Sequence, residues 1–294
     1  MTAPLLILHH HDPSPFAEKI RLAFGIKRLA WASVQIPMIM PKPDLTALTG
    51  GYRGTPVLQI GADIYCDSRL IVDELERRFP EPALLRSGPL VNFGLQHWSD
   101  DALFPPGAAL AMHEGAAAMP AELIAERSLY FTNLDFGHFA QDAAHFRQQM
   151  LAHIALIEAQ LADGRAFLLG DAPEWADIGA YFPIWMLGGH VPSGGEMLTG
   201  KPRLAAWQAR LAAFGTGERH EIGADDALAI ARDAGLSPGD GAPVSVFPVA
   251  HPETAVAGQL VSIDDDRIVI RRSDDRAGVV AVHFPAIGYR VEPA

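Results

Sequence analysis

The sequence predicts three consecutive parts: an α/β layer domain over residues 1–84, an all-α domain over 85–218 and a small mainly-β module over 219–294. Three observations carry this reading. Strand-like and helix-like segments alternate over roughly the first eighty residues, the pattern of a layered α/β domain. From about residue 88 strand signals nearly vanish and helical periodicity takes over. After Gly215-Thr216-Gly217, β-branched runs separated by polar turns return. A chain of 294 residues also exceeds what one hydrophobic core usually organises.

The first part reads β-α-β-α-β-β-α. Residues 5–8 are a short apolar run suited to a buried strand, and Ser14-Pro15 opens a helix in which Phe16, Ile20, Ala23 and Phe24 recur at helical spacing. Serine as N-cap with proline at the first helical position is a strong start signal. Residues 31–36 read as a second strand, 43–48 as a short helical piece before Gly50-Gly51, and 57–60 as a third strand after Thr55-Pro56. Gly61-Ala62-Asp63 turns the chain, 64–66 return antiparallel, and Asp67-Ser68 begins a helix with Ile71, Leu75 and Phe79 on one face. Pro80 and Pro82 end it.

In the second part helices are predicted over 90–101, 122–131, 138–161, 176–186 and 203–214, with the Pro/Gly-rich stretches 104–107 and 190–195 as loops. The third part holds a helix over 225–234 and strands over 243–249, 255–263, 267–271 and 279–284. A module of about seventy residues without disulfide or metal has a marginal core. It is therefore expected as a separate unit packed on the helical domain, leaning on that domain or on a second subunit for burial, shaping assembly or a partner surface and contributing no catalytic group.

The formal net charge of -12 argues against nucleic acid as a partner and against an acidic membrane surface. The acidic excess falls outside residues 1–85, where Lys and Arg balance Asp and Glu, so this part repels a small anion least. The single cysteine, Cys66, excludes an intrachain disulfide, a CxxC redox pair and a cysteine zinc site. With no basic, apolar leader at the start, a cytoplasmic location is expected. No metal is expected: His9, His10 and His11 follow a strand, so their side chains alternate between faces and cannot share one ion. Asp135-Phe136-Gly137 matches a kinase tripeptide, but neither a Gly-rich loop nor a catalytic-loop signature accompanies it.

The element order, with Gly54-Thr55-Pro56-Val57-Leu58 and Cys66-Asp67-Ser68, resembles the thioredoxin-like half of the cytosolic glutathione transferases. Ser14-Pro15-Phe16, with Lys19 and Arg21 on the following helix, is similar to the start of serine-type classes such as the plant tau class. Thr55-Pro56 stands where that family places a cis-proline, and Asp67-Ser68, eleven residues beyond Pro56, matches its acidic-serine pair. Phe167-Leu168-Leu169-Gly170-Asp171, followed by Ala176-Asp177, resembles the folding motif of the family's helical domain. That motif usually has Ser or Thr as N-cap three residues before the aspartate, where this chain has Glu174, which puts the local cap in doubt. The resemblance covers residues 4–214.

The resemblance implies an enzyme with glutathione as co-substrate, a small apolar electrophile as second substrate, a role in detoxification and a homodimer. Ser14 would stabilise the glutathione thiolate, its alternative being a plain N-cap. Thr55, ahead of Pro56, would pair through its backbone with the cysteinyl part. Asp67 would meet the γ-glutamyl ammonium, and the Ser68 hydroxyl and amide its carboxylate. Lys42 and Arg53 are candidates for the glycine carboxylate. Cysteine-based thiol transfer is disfavoured, because Ser14 stands where those classes carry Cys. The alternative function is a binding or protein-interaction protein that keeps the fold without turnover.

Overall fold

The computed structural model describes residues 4–131 and 137–294; Asp135 and Phe136 of the kinase-like tripeptide lie outside them. Two compact units emerge. One gathers the chain up to Ile20, Arg28–Arg78 and Gly217–Ala294, the other Arg21–Lys27 with Phe79–Thr216.

The first unit starts as the sequence predicts: β1 (Ile7–His10), α1 (Pro15–Lys27, shared with the second unit), β2 (Ala30–Gln35), α2 (Pro43–Thr49), β3 (Val57–Ile60), β4 (Asp63–Cys66) and α3 (Ser68–Arg78). β1 pairs parallel with β2 and antiparallel with β3, and β3 pairs antiparallel with β4. Ile7, Leu8, Val57, Leu58 and Ile64 are fully buried, as an apolar run on a sheet covered on both faces requires.

The second unit holds α4 (Pro89–Trp98), α5 (Phe104–Gly115), α6 (Ala121–Tyr130), α7 (Phe139–Gln160), α8 (Trp175–His190), α9 (Gly194–Leu198) and α10 (Pro202–Ala212). The expected loop at 104–107 is instead the first turn of α5. Between α4 and α5 the chain makes one π-helical turn, Ser99–Leu103, in which the Phe104 N–H reaches the Ser99 carbonyl. The wider turn lies just ahead of Pro105 and Pro106, whose missing N–H groups and rings are tolerated in a first helical turn. Part of the second expected loop, 190–195, also coils, as the start of α9.

At α8 the structure explains why glutamate replaces the usual N-cap. Asp177, fully buried, accepts hydrogen bonds from the Glu174 N–H at 3.0 Å, the Leu168 N–H at 2.7 Å and the Trp207 indole at 2.8 Å. The Ala176 N–H, which a Ser or Thr cap could serve, donates to Asn92 Oδ1 on α4 at 2.9 Å. That frees the Glu174 carboxylate to accept from the Ser87 N–H and hydroxyl and from Asn92 Nδ2. Two helix starts are thus bonded to each other, and the cap is supplied across the bundle.

Beyond Gly217 the structure departs from expectation. β5 (Glu218–Glu221) pairs parallel with β2, and α11 (Ala224–Asp233) sets Ala227 against Ile7, Ala32 and Val34. β6 (Pro243–Pro248), β7 (Val256–Ile263), β8 (Arg267–Asp274), β9 (Gly278–Pro285) and β10 (Tyr289–Pro293) follow. They form no separate sheet: β9 pairs parallel with β4, giving one ten-stranded sheet of order β10-β6-β7-β8-β9-β4-β3-β1-β2-β5. The expected module packed on the helical domain is corrected to an extension of the α/β domain. The physical reason is a shared core. Val246, Val256, Ile270, Val280, Val282 and Phe284 lie in one buried cluster with Leu45, Leu48, Val57, Ile64 and Cys66, so the marginal β core is completed by the first eighty residues.

Polar contacts fix the join. His283 bonds Asp63 at 2.9 Å and stacks on Tyr65 at 4.5 Å between ring centres. Arg272 donates to the Ala47 carbonyl near the C-terminal end of α2, where a cation suits the helix dipole. Arg276 reaches Asp44 at 2.6 Å. Glu74 on α3, fully buried, accepts from Tyr65, Arg77 and Arg78, and Arg267 of β8 stands 3.4 Å away. Burial pushes the Glu74 carboxyl up, but the guanidinium hydrogen bonds outweigh it and hold the group down at about 2.

Two outcomes follow from this packing. A chain truncated after Gly217 loses the buried partners of Ile64 and Cys66, each such apolar side chain contributing about 1.5–3 kcal/mol. Against a total stability of about 5–15 kcal/mol, the α/β unit is expected to lose its cooperative thermal transition. A truncated protein melting within a few degrees of the full chain would refute the shared core. The second concerns acid. Because folding lowers the Glu74 pKa from 4.5 to about 2, its contribution is complete above the unfolded value and lost as pH falls through the folded one. Glu74→Gln should cost about 1–3 kcal/mol in urea unfolding at neutral pH, with the difference from wild type fading between pH 4.5 and about 2. A pH-independent difference would show that charge is not what Glu74 contributes.

Candidate active site

The register brings the separated motifs to one end of the sheet. His9 pairs with Val57, and Val57 with Cys66. β1 and β4 therefore finish where β3 begins. Ser14 beyond β1, Thr55-Pro56 ahead of β3 and Asp67-Ser68 beyond β4 share that end, and both α1 and α3 start there with their positive dipole ends.

Ser14 is nearly buried, and its hydroxyl oxygen accepts the Ala17 N–H at 3.2 Å, which makes it the N-cap of α1. Accepting leaves the hydroxyl proton to be donated elsewhere, so the cap and the donor reading are compatible in one side chain. The Thr55–Pro56 peptide is cis. Lys42 is buried, contrary to an ordinary surface charge, and its ammonium donates to Thr55 Oγ1 at 3.2 Å. Arg53 is half-buried on the segment between α2 and β3.

Asp67 adopts a left-handed backbone, φ 76°, which aspartate tolerates better than most residues. Its Oδ1 accepts the Arg69 N–H at 2.9 Å and its carbonyl the Ile71 N–H at 3.0 Å, so it caps α3. Ser68 is the buried first residue of that helix. Cys66 beside it is sealed: burial and then the Asp67 charge push its thiol well up, which keeps it unreactive. His9 and His10 turn to different partners. His9 bonds Gln59 at 2.8 Å and is held neutral, its pKa lowered by burial to about 4, while His10 bonds Ser33 at 3.0 Å and tilts against Trp31.

One contact escaped the sequence reading. Tyr289, which opens β10, places its hydroxyl 3.3 Å from Asp67 Oδ2 and 3.2 Å from the Tyr52 hydroxyl. Phe284 packs against both rings, with centres 6.2 Å from Tyr52 and 5.6 Å from Tyr289. Tyr52 also needs Gly54, since a Cβ there would lie 2.3 Å from its hydroxyl. The C-terminal part of the chain thus touches a residue that the sequence reading singled out. No periodicity marks Tyr289, because the contact joins residues 222 positions apart.

Comparison with known proteins gives the family. Residues 8–83 match the glutathione S-transferase N-terminal domain and residues 125–210 the glutathione S-transferase C-terminal domain. The crystal structure of a GST-like protein from Pseudomonas syringae is 36% identical, superposes with a TM-score of 0.81 and covers 99% of this chain and 100% of its own. The chain belongs to the glutathione S-transferase family.

A glutathione S-transferase from Rhodospirillum rubrum F11 shares the fold at 24% identity and TM-score 0.53, over 71% of this chain and 88% of its own. FtsZ-localized protein A of Caulobacter vibrioides is 30% identical over 87 residues, 28% of this chain, and the match spans only 37% of that relative. All the sequence-predicted site residues fall inside the matched N-terminal transferase domain. Tyr289 falls outside both matched domains, in the part that the Pseudomonas syringae protein's full-length match includes.

Proposed function

We propose that this protein is an enzyme that binds glutathione at the shared end of β1, β3 and β4 and activates its thiol for attack on a small apolar electrophile. The observation that carries the reading is the Ser14 hydroxyl at the start of α1, its oxygen committed to the Ala17 N–H and its proton left to give. An unperturbed thiol titrates near pH 8.5, and the thiolate is the nucleophile. Lowering that value by about two units requires roughly 2.7 kcal/mol of preference for the thiolate. A hydrogen bond to a charged acceptor supplies about 1.5–3 kcal/mol and a helix N-terminus about 0.3–1 kcal/mol, so Ser14 with α1 suffices. No metal is required for the step.

In this reading the Thr55 backbone, ahead of Pro56, pairs with the cysteinyl part of glutathione as a short added strand. Asp67 takes the γ-glutamyl ammonium, and the Ser68 hydroxyl and amide take the neighbouring carboxylate. Lys42, anchored at Thr55, suits the glycine carboxylate, with Arg53 as the other candidate. Detoxification of electrophiles in the cytoplasm by a homodimer belongs to the same reading. Among the described residues no helix is long and apolar enough to cross a membrane. A dimer would have to form without strand addition at β4, since β9 occupies that edge.

Ser14→Ala is expected to cut turnover about tenfold or more and, through the lost cap, to cost about 1 kcal/mol of stability. Ser14→Gly costs a cap only a few tenths of a kcal/mol and should lose as much turnover. A glycine variant with near-normal conjugation rates would reduce Ser14 to a cap. Asp67→Asn keeps the cap and tolerates the left-handed backbone while removing the charge. It should raise the Michaelis constant for glutathione by more than it lowers saturated turnover, because the γ-glutamyl end is remote from the sulfur. Equal losses in both would place Asp67 in the chemistry.

A further inference from the structure

The ten-stranded sheet ends at β10, and its hydrogen-bond pattern tells which backbone groups face outward. The Val249 N–H reaches the Gly288 carbonyl, and the Ala294 N–H reaches the Pro243 carbonyl. Facing groups alternate along an antiparallel strand, so Gly288, Arg290, Glu292 and Ala294 turn their backbone to β6, while Tyr289, Val291 and Pro293 turn theirs away. The missing N–H of Pro293 therefore interrupts nothing inside the sheet. Arg290 and Glu292 share one face of the strand and pair at 2.9 Å, with side chains 65% and 45% exposed.

Charges at a sheet edge ordinarily discourage another strand. Opposite charges two residues apart act differently, because they oppose most strands and match their own copy. In an antiparallel pair centred on Val291, Arg290 stands opposite the partner's Glu292, and Glu292 opposite the partner's Arg290. These are the close, non-hydrogen-bonded positions of the ladder, where opposite charges stabilise and like charges oppose pairing. Val291 and its copy exchange both backbone bonds, and each Tyr289 N–H meets the partner's Pro293 carbonyl. A two-fold axis at Val291 relates the strands, so the contact is isologous and closes on two chains. At the opposite edge, Arg219 of β5 is turned back to Asp12 at 2.8 Å and over the Trp31 ring. We propose that β10 is the dimerisation edge of this protein, pairing antiparallel with β10 of a second copy about Val291. This rests on the homodimer of the proposed function and supplies its interface: β9 covers the edge of β4, and β10 becomes the edge in its place.

The test is sedimentation velocity of the full-length protein over a range of micromolar concentrations. Wild type should show a reversible dimer. Arg290→Glu and Glu292→Arg each set like charges opposite one another at both symmetric positions, and each alone should weaken the dimer about tenfold or more. Mixed together, the two variants should associate again, because the acidic pair of one strand then faces the basic pair of the other. Val291→Pro removes an N–H that faces away from β6, and should leave a single chain with its thermal transition kept. If that variant melts early, the mixing experiment decides, since it alters only exposed side chains. A dimer unmoved by the two charge reversals, or one that they weaken without recovery on mixing, overturns the inference and leaves the homodimer reading standing. A wild type that stays one chain in size at every concentration overturns both.

Discussion

The parallel ladder between β4 and β9 is the constraint on which the rest of the first unit depends. Asp63, Ile64 and Tyr65 stand opposite Ala281, Val282 and His283, so β9 runs in the direction of β4 and ends beside it. That direction places Phe284 and the turn into β10 at the sheet end where Asp67 caps α3. Had β9 joined antiparallel, its other end would lie there and Tyr289 would be a strand's length away. The same ladder carries Arg267 to Glu74 and Arg272 to the end of α2. One pairing thus decides core burial, the ion network and the approach to the candidate site.

What was legible in the sequence is what local chemistry determines. Ser14-Pro15, Thr55-Pro56 and Asp67-Ser68 each mark the start of an element, and the elements appear where those signals put them. The strand runs of the C-terminal part were legible too, because β-branched periodicity is a property of a few neighbouring residues. Their partner was not. A valine run such as Val279, Val280 and Val282 is equally apolar whether it closes a small barrel or extends a distant sheet. β5, a charged four-residue strand, carries no apolar signal at all and is held by backbone pairing to β2. At Phe104-Pro105-Pro106-Gly107, loop-like composition concealed a helix start, since proline marks both.

Within the site the same limit holds. Residue types and spacing marked Ser14, Asp67 and Ser68 as residues of helix starts, because capping calls for short polar side chains there. Lys42 was legible as a charge but not as a buried one against Thr55. Tyr289 was illegible, since nothing near it in sequence reports what it meets. The glutamate at position 174 is a third kind of case: it breaks a local rule, and the compensation lies on another helix, where Asn92 serves the amide that the side chain at 174 does not.

In the proposed reading the caps double as ligand groups and tie stability to chemistry at this end of the sheet. Ser14 accepts the Ala17 N–H of α1, and Asp67 accepts the Arg69 N–H of α3. On that reading each helix start is ordered by the residue that the ligand would meet, before a ligand arrives. The aromatic group of Tyr52, Phe284 and Tyr289 extends the same logic to the C-terminal part of the chain. Its rings bury apolar area that holds β9 and β10 on the domain, while the Tyr289 hydroxyl ends on the carboxylate. A substitution that loosened this packing would act on Asp67 without touching it, and a substitution at Asp67 would leave a buried phenol short of an acceptor. The two parts of the chain are coupled at this end of the sheet through that carboxylate, in addition to the β4–β9 ladder and the shared core.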